Sequence, residues 1–355
     1  MKIISLVGAR PQFIKAAPVS RALRQKHQEV LVHTGQHYDE VMSAIFFEEL
    51  ELPQPDFNLG VGSGRHGAQT AAMLERLEEI LLAERPDWLV IYGDTNSTLA
   101  GALAAAKLHF KIAHIEAGLR SFNRAMPEEI NRIVADHLSQ LLLCPSQTAA
   151  DHLAREGIIA GVHVVGDVMA EALQFAAAKA PKHSNILSRL NLQPRGYLLA
   201  TLHRAENTDD LTRLRSILSA FEAMEETVIF PVHPRTRSAL AKLDFVPTSH
   251  VRMLAPLGYL DMVMLEQSAR MILTDSGGIQ KEAYWLGVPC VTLRDETEWV
   301  ETVQLGWNTL AGAHRERILQ VVRSFTSPPH RPTLYGDGHS AARCVELLDR
   351  YSESR

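Results

Sequence analysis

Short β-rich runs alternate with amphipathic segments along the whole chain. Within 66–84, for example, Met73, Leu77 and Leu81 recur at helical spacing. Strand–helix alternation of this kind predicts parallel sheets whose strands are joined by crossover helices. The candidate strands are 2–7, 29–33, 87–92, 111–115, 140–144, 162–165, 197–202, 227–232, 250–254, 270–274 and 288–293.

The alternation pauses at 175–196, a stretch rich in Ala, Lys, Pro and Ser, and restarts with a strand at Tyr197. A chain of 355 residues is too long for one ordinary domain and suits two. We therefore predict two doubly wound α/β halves joined by a helix and a linker. The last amphipathic segment, 338–351, is predicted to be a helix that packs on one of the halves.

Charge and cysteine content argue against several classes of protein. The formal net charge is −5 and no basic stripe is present, so a nucleic-acid partner is not expected. The apolar run at the N-terminus is too short for a signal peptide, and no apolar stretch approaches the ~20 residues that span a bilayer. Because Cys144, Cys290 and Cys344 are few and widely spaced, we expect a cytoplasmic protein without disulfides, a zinc site or a membrane partner.

In doubly wound sheets, ligands lie beyond the carboxyl ends of the strands, so the loops after the strands carry the candidate site. The first such loop contains Arg10 and Lys15 near the start of a helix that Pro11 suits. Helix N-termini favour anions. Two interpretations stay open: a grip on a diphosphate or carboxylate, or two solvated basic side chains.

Three carboxylates follow consecutive strands of the first half. Asp94 follows one strand, although Asp94 or Thr95 could simply cap the next helix. Glu116 directly follows the next strand. Glu128 begins a helix four residues before Arg132, so these two could form a surface ion pair. If the strand ends bring the carboxylates together, they form the usual arrangement for general acid/base catalysis.

The second half carries candidates for anion binding. His203 and His233 each lie beside a strand end and close to an arginine, which favours anion binding over a structural role. A Ser-Gly-Gly turn then opens a helix, where exposed backbone N–H groups suit phosphate oxygens. Glu282, about a turn further on, suits ribose hydroxyls. The alternative is an ordinary strand–helix turn. The turn consists of Ser276, Gly277 and Gly278.

Two patterns that suggest cofactors lack the required context. Residues 62–67 match GxGxxG but do not follow the first strand of a βαβ unit, so no nicotinamide cofactor is predicted. His33 and His37 are four apart, but a turn-like Thr-Gly pair separates them, so zinc is not predicted. We therefore predict neither a cofactor nor a metal.

Taken together, the loop motifs resemble the non-hydrolysing UDP-N-acetylglucosamine 2-epimerase family. The resemblance implies two Rossmann-like domains in the glycosyltransferase-B arrangement, with the active site in the cleft, and a homodimer. The implied domains are 1–170 with a returning helix at 338–355, and a UDP-binding domain at 171–337. The matching stretches are GARPQFIKAAP, TGQH, GDTNSTLA, HIEAGLRS, MPEEINR, HRAEN, PVHPRT, LTDSGGIQKEA and YGDG.

The resemblance also implies a reaction: inversion at C2 of a UDP-2-acetamido sugar, UDP-GlcNAc to UDP-ManNAc, for surface-polysaccharide synthesis. The family eliminates UDP to give a 2-acetamidoglucal and adds UDP back with protonation on the other face. Asp94, Glu116 and Glu128 would be the acid/base groups, with His203 at the leaving phosphate. The implied substrate-binding residues are Arg10, Lys15, Arg132, His233, Ser276, Gly277, Gly278 and Glu282.

Several positions depart from the family pattern. Gln12 stands where Glu is usual, Trp299 where a basic residue is usual, and Met262 aligns where many members place an aromatic residue on uracil. These variations resemble the branch acting on UDP-2,3-diacetamido-2,3-dideoxy-glucuronate, so that substrate stays open beside UDP-GlcNAc. A neutral Gln12 near the sugar would suit the anionic substrate, whereas Trp299 removes a cation and argues against it. The alternative is that neither residue reaches the sugar. Tyr38 and Asp39 differ from the Arg-Gln of members with a second, activating UDP-GlcNAc site.

Two other functional classes remain as alternatives. A UDP-sugar glycosyltransferase of the same fold would need an acceptor site and would not need the carboxylate set. A non-catalytic nucleotide-sugar sensor would keep Arg10 and the Ser-Gly-Gly turn. It would have no reason to keep Asp94, Glu116 and Glu128 together.

Overall fold

The computed structural model of the chain describes residues 1–36 and 40–353, and of residues 40–44 it describes the backbone alone. His37, Tyr38 and Asp39, on which the questions of zinc and of a second nucleotide-sugar site depend, lie outside the described residues. The chain divides into two compact units, Met1–Phe175 with Thr333–Arg355 (unit 1) and Ala176–Pro332 (unit 2). The ranges expected from the sequence are 1–170 with 338–355, and 171–337.

In its described part, unit 1 is built on a seven-stranded parallel sheet with the order β3-β2-β1-β4-β5-β6-β7. The strands are β1 (Lys2–Val7), β2 (Gln28–His33), β3 (Phe57–Asn58), β4 (Trp88–Tyr92), β5 (Lys111–Ile115), β6 (Leu141–Cys144) and β7 (Val162–Val164). The helices are α1 (Arg10–Leu23), α2 (Glu40–Glu49), α3 (His66–Glu84), α4 (Asn96–Lys107), α5 (Pro127–Leu138), α6 (Gln147–Arg155) and α7 (Val168–His183). The boundary between the units, after Phe175, falls within α7.

Unit 2 repeats the plan with a six-stranded parallel sheet in the order β10-β9-β8-β11-β12-β13. The strands are β8 (Tyr197–Thr201), β9 (Thr227–Pro231), β10 (Val251–Leu254), β11 (Met271–Thr274), β12 (Cys290–Thr292) and β13 (Asn308–Leu310). The helices are α8 (Ile186–Arg189), α9 (Ala205–Thr208), α10 (Leu211–Glu222), α11 (Pro234–Lys242), α12 (Tyr259–Ser268), α13 (Gly277–Leu286), α14 (Val300–Gln304) and α15 (Arg315–Ser324). The last helix of the chain, α16 (Ser340–Glu353), belongs to unit 1.

The two sheets confirm the predicted class of doubly wound α/β fold. Their central strands are buried along almost their whole length, as β4 and β8 show. Parallel strands covered by helices on both faces read as continuous apolar runs, which is the pattern in the sequence. The sequence does not indicate β3 and β13, because edge strands of two and three residues are too short to show a period.

The terminal helix α16 packs onto unit 1 through its polar as well as its apolar side chains. The indole N–H of Trp88 donates to Ser352 Oγ at 2.7 Å, and His27 Nε2 lies 2.9 Å from the carboxylate of Asp349. These contacts join α16 to the first residue of β4 and to the residue before β2. Near its other end, Arg343 of α16 donates to the carbonyl oxygen of Val165, directly after β7, at 3.2 Å. None of the helices within the described residues is long and apolar enough to cross a membrane.

Candidate active site

Gly93, directly after β4, is the point on which the unit 1 candidates converge. Its φ is +61°, and a Cβ at this position would lie 3.1 Å from both Glu116 Oε2 and Lys15 Nζ. Because glycine has no Cβ, two charged side chains can lie close to the backbone at this position. Glu116 itself has a φ of +71°, a conformation that costs a non-glycine residue of order 1–3 kcal/mol. Such strain is common in functional sites.

The ammonium of Lys15, on α1, donates a hydrogen bond to the carboxylate of Glu116, at the end of β5. Both side chains are less than a tenth exposed. A buried carboxylate needs a compensating charge, and Lys15 supplies it. The structure therefore brings together one predicted acid/base residue and one predicted diphosphate ligand.

A second ion pair lies one residue further along the same loop. Arg132, on α5, donates from Nη2 to Asp94 Oδ2 at 2.5 Å and from Nη1 to Glu129 Oε2 at 2.8 Å. Asn131 holds the same loop by donating to the backbone carbonyl of Asp94 at 2.9 Å. Asp94 does not cap α4, because the capping side chain is that of Thr95. The interpretation of Asp94 as a helix cap is therefore wrong.

The ion pair between Glu128 and Arg132 that their spacing suggests does not form. The guanidinium of Arg132 is taken by Asp94 and Glu129, while the half-buried Glu128 carboxylate has no hydrogen bond or ion pair to any described residue. Glu129, which the sequence analysis passed over, accepts the backbone N–H groups of Ser121 and Phe122 and is 1% exposed. Glu129 thus orders the loop before α5, and Glu128 remains a candidate acid/base group.

The loop before α1 is ordered by the side chain of Gln12. Its Oε1 accepts the N–H groups of Gly8 and Ala9, and its Nε2 donates to Tyr92 O at 2.8 Å and Thr98 Oγ1 at 3.1 Å. The side chain is 1% exposed. Gln12 therefore holds the loops after β1 and β4 together, and its burial favours the alternative in which it does not reach the sugar.

Arg10 begins α1 and keeps its guanidinium at the surface of unit 1. Its Cζ lies 4.4 Å from the centre of the Phe46 ring on α2, a cation–π contact. The residue is only partly buried, and a guanidinium stacked on a ring keeps its N–H groups in the plane for bidentate binding. Its position agrees with an anion-binding role.

In unit 2, the buried carboxylate of Asp275 organises the loop that carries His203. It accepts the backbone N–H groups of His203 and Arg204 at 3.0 to 3.1 Å, and Asn207 Nδ2 at 3.2 Å. The ring nitrogen Nδ1 of His203 lies 3.3 Å from Asp275 Oδ1. His233 lies nearby, with ring centres 5.8 Å apart, and its Nδ1 caps α11.

The Ser-Gly-Gly turn opens α13, as its sequence predicts. Ser276 caps the helix by accepting the N–H of Ile279 at 3.4 Å. A Cβ at Gly277 would lie 3.3 Å from the indole nitrogen of Trp299 and 3.7 Å from Arg204 Nη2. The carboxylate oxygen Oε2 of Glu298 would lie at the same 3.7 Å. The N-terminus of α13 therefore has both a guanidinium and a carboxylate beside it, and its N–H groups together with the guanidinium suit a phosphate. Arg204 is a residue that the sequence analysis named only as part of a motif.

Glu282 and Met262 both lie in buried surroundings. Glu282 is 4% exposed and accepts a hydrogen bond from the hydroxyl of Tyr259 at 3.0 Å. Met262 is 5% exposed and packs in the core cluster that contains Tyr197 and Leu265. Packing on the buried face of α12 accounts for Met262, so the structure gives it no separate ligand-binding role.

Trp299 stands where the family usually has a basic residue, but a cation lies against its ring. It is 5% exposed, and the ammonium of Lys281 lies 3.9 Å from the centre of its ring. The neighbouring Glu298 forms two 3.0 Å hydrogen bonds with Arg294. Burial pushes the pKa of the Glu298 carboxyl up, but the hydrogen bonds and charge of Arg294 outweigh burial and lower that pKa to about 2. The segment after β12 is therefore charged and rigidly paired.

Among the described residues, no group of three or more His, Cys, Asp or Glu side chains is arranged to hold a metal ion.

The sequence analysis missed His114 and Asp136, which are wholly buried in unit 1. A histidine in the middle of the apolar strand KIAHI was the available signal, because an unpaired polar side chain is costly there.

Residues 21–349 match the family described as UDP-N-acetylglucosamine 2-epimerase. The chain is 53% identical to the UDP-N-acetylglucosamine 2-epimerase homolog of Methanococcus maripaludis, over 98% of this chain and 99% of that one. It is 49% identical to the UDP-2,3-diacetamido-2,3-dideoxy-D-glucuronate 2-epimerase of Pseudomonas aeruginosa, with the same coverage. The crystal structure of Methanocaldococcus jannaschii UDP-GlcNAc 2-epimerase in complex with UDP-GlcNAc and UDP matches with a TM-score of 0.93 and 43% identity, covering 99% of this chain and 100% of that chain.

Proposed function

Because the chain belongs to the UDP-N-acetylglucosamine 2-epimerase family and is therefore an isomerase, we propose that it interconverts UDP-GlcNAc and UDP-ManNAc by inversion at C2. The observation that carries the proposal is the pair of ion pairs at Gly93, Lys15 with Glu116 and Arg132 with Asp94. Each puts a carboxylate at a strand end with a cation that compensates its charge.

The chemistry is difficult because no carbonyl lies next to the C2–H bond to acidify it. We propose that a carboxylate takes the C2 proton while the C1–O bond breaks. The C–H electron pair becomes the C1=C2 bond of a 2-acetamidoglucal, and the C1–O pair leaves with UDP. Re-addition of UDP to C1, with a proton delivered to the opposite face of C2, completes the inversion. No oxidant or reductant is consumed.

Two-face proton transfer requires more than one acid/base group. We assign these roles to Asp94, Glu116 and Glu128. Lys15 lies beside Glu116, so an added diphosphate would share the charge of that ammonium. Such a cation stabilises the leaving group most strongly as its negative charge grows. Arg10 and Arg132 are proposed as further substrate contacts.

We assign the UDP contacts of the reaction to unit 2. Ser276, Gly277 and Gly278 are proposed to bind phosphate through the N-terminus of α13, with Arg204 beside it. His203, oriented by Asp275, would act at the leaving phosphate, and His233 would lie on the nucleotide side. Glu282 would accept hydrogen bonds from the ribose.

The diacetamido-glucuronate derivative is the second candidate substrate. The observation in its favour is the 49% identity to the Pseudomonas aeruginosa enzyme that bears this name. The burial of Gln12 removes one sequence argument for the anionic sugar. Trp299 gives no clear preference, because the cation of Lys281 lies against its ring.

Proton NMR in D₂O distinguishes the two substrates. Purified enzyme is incubated separately with UDP-GlcNAc and with the diacetamido-glucuronate derivative, and deuterium is followed at C2. Incorporation into UDP-GlcNAc together with formation of UDP-ManNAc supports the first assignment. Incorporation into the uronate alone transfers the assignment to the second. If neither sugar exchanges, the proposed reaction is wrong.

We also propose that the enzyme is a cytoplasmic homodimer that supplies an activated sugar for surface-polysaccharide synthesis. The family resemblance supports these points, and the three thiols, which are buried and unbonded to one another, suit a reducing compartment. Light scattering of the purified protein tests the dimer. Loss of surface polysaccharide in a cell that lacks the enzyme tests the cellular role.

A further inference from the structure

Four charged or ionisable side chains in unit 1 are joined by hydrogen bonds, and three of them are buried. His114, on β5, faces Asp136 on α5 with 2.7 Å between Nδ1 and Oδ1. Arg120 donates from Nη1 to Asp136 Oδ2 at 2.6 Å. Its other face makes two hydrogen bonds of 2.7 and 2.8 Å with Glu156. The side chains of His114, Asp136 and Arg120 are buried, and only that of Glu156 is partly exposed. We call these four residues the buried ion chain.

The hydrogen bonds of His114 occupy both of its ring nitrogens. Nε2 lies 2.7 Å from the carbonyl oxygen of Gly93, and Nδ1 faces the carboxylate of Asp136. Burial pushes the pKa of the Asp136 carboxyl up, but its interactions with His114 and Arg120 outweigh burial and lower that pKa. Asp136 therefore accepts hydrogen bonds as a carboxylate, and His114 connects it to the Gly93 carbonyl.

The buried ion chain hydrogen-bonds to the backbone beside the two strand ends that carry Asp94 and Glu116. On one side, His114 holds the Gly93 carbonyl, next to Asp94. On the other, Asp136 Oδ2 accepts the N–H of Gly118, two residues after Glu116, at 3.2 Å. Gly93 and Gly118 adopt positive φ without strain, whereas Glu116 between them also has positive φ, which is costly for a non-glycine residue and persists only where the surrounding structure holds it.

Stability alone is a weak explanation for such an arrangement. Taking charges out of water is costly, and well-packed apolar side chains often replace a buried ion pair without loss of stability. A network that fixes particular backbone atoms does something that an apolar cluster would not do, because hydrogen bonds are directional and dispersion contacts are not. The atoms it fixes here belong to the two turns with the acid/base candidates.

We propose that His114 and Asp136 are positioning residues that set the relative placement of Asp94 and Glu116 for proton transfer at C2. The proposal rests on the proposed function for the identity of the reaction. Neither residue need touch the substrate. Misplacement of reacting groups by about 1 Å can cost roughly 10²-fold in rate, so loss of the grip should lower kcat far more than it affects binding.

The test compares His114→Gln with a matched control, His27→Gln. Nε2 of His27 likewise lies 2.9 Å from a carboxylate oxygen, that of Asp349, but His27 lies before β2, away from the two turns. Both variants remove a histidine–aspartate contact from unit 1. We expect His114→Gln to lower kcat roughly 10²-fold with KM and UDP affinity little changed. His27→Gln should leave kcat near that of the wild type even if it lowers the melting temperature as much.

A second variant, Asp136→Asn, keeps the proposal testable if His114→Gln does not fold. It retains the side-chain shape but puts an N–H₂ group or a neutral oxygen where Gly118 and Arg120 now donate. Hydrogen exchange of the Gly118 amide, followed by mass spectrometry or NMR, reports the grip without reference to activity. We expect faster exchange at Gly118 in both variants and no change there in His27→Gln.

The outcomes separate this proposal from the proposed function. A kcat for folded His114→Gln and Asp136→Asn close to the wild-type value would overturn the positioning role while leaving the epimerase assignment intact. Equal kcat losses in His114→Gln and His27→Gln would also overturn it, because the effect would then be one of general stability. If the wild type epimerises neither sugar, the proposed function is wrong. In that case, an unchanged exchange rate of the Gly118 amide in both variants would still refute the proposed restraint on the backbone.

Discussion

Asp275 Oδ1 lies 3.3 Å from Nδ1 of His203, and the same carboxylate accepts the backbone N–H groups of His203 and Arg204. One buried side chain thus sets both the position of the loop and the direction of the ring. With Nδ1 beside this carboxylate, Nε2 is the ring nitrogen directed away from it. That orientation suits the role at the leaving phosphate that we propose for His203.

Asp275→Asn should therefore lower kcat, by roughly 10²-fold or more, because the loop and the ring both lose their acceptor. The variant should also be less stable, since an amide N–H₂ would face backbone donors. Steady-state kinetics and thermal unfolding measure the two effects. Asp209→Asn is the control, because Asp209 is exposed and pairs with Arg235 at 2.7 Å. Wild-type kcat in folded Asp275→Asn would contradict the orienting role.

Glu116→Gln should abolish most of the C2 epimerisation while leaving UDP affinity nearly intact. Removal of one general acid/base group typically costs ~10²–10⁴-fold in rate. Deuterium incorporation at C2 and calorimetric titration with UDP are the measurements. Glu84→Gln, which removes the carboxylate of the surface pair with Lys2, is the matched control and should remain active. Turnover like that of the wild type in Glu116→Gln would remove Glu116 from the mechanism.

Lys15→Ala should lower kcat as well as substrate affinity. The ammonium would interact more strongly with the diphosphate as the C1–O bond breaks, and an interaction that grows in the transition state contributes to kcat. The change also leaves the buried Glu116 without its cation. Lys2→Ala is the control for loss of a lysine from an ion pair. A rise in KM alone would indicate uniform binding and refute a role in the elimination step.

Gln12→Glu should affect the two candidate substrates equally. The new carboxylate loses the N–H₂ that now donates to Tyr92 O and Thr98 Oγ1, and a buried acceptor left unsatisfied costs ~1–3 kcal/mol. We expect a lower melting temperature and the same ratio of kcat/KM for the two sugars as in the wild type. Gln25→Glu, at an exposed position, is the control. A selective loss of activity on the diacetamido-glucuronate would show that position 12 does sense the sugar.

The Arg294–Glu298 pair should make unit 2 sensitive to acid. The folded-state pKa of Glu298, about 2, lies below its ordinary value of ~4.3, so the stabilisation is fully present above the ordinary value. It is lost as pH falls from about 4 through 2. Melting temperatures of the wild type and Glu298→Gln should converge over that range. A gap that is independent of pH would show that the contribution is not electrostatic.

Local patterns predict the parts of this protein that depend on local chemistry. Apolar runs and helical spacing predict the strands and helices, and the turn residues predict Ser276 as the start of α13. The loops after the strands predict where the charged candidates lie, because parallel strands all point the same way. The four-residue spacing of Glu128 and Arg132 predicted the wrong ion pair, since a partner 38 residues away took the guanidinium.

The amino-acid sequence by itself determined the doubly wound class of fold and the set of chemical groups at the strand ends, because both follow from periodicity and from the direction of the chain. The tertiary structure decided which charges pair. Lys15 meets Glu116 across 101 residues, Gln12 joins the loops after β1 and β4, and His114 reaches the Gly93 carbonyl. These contacts depend on distances between separate elements, which only the packing of the sheet and its helices sets.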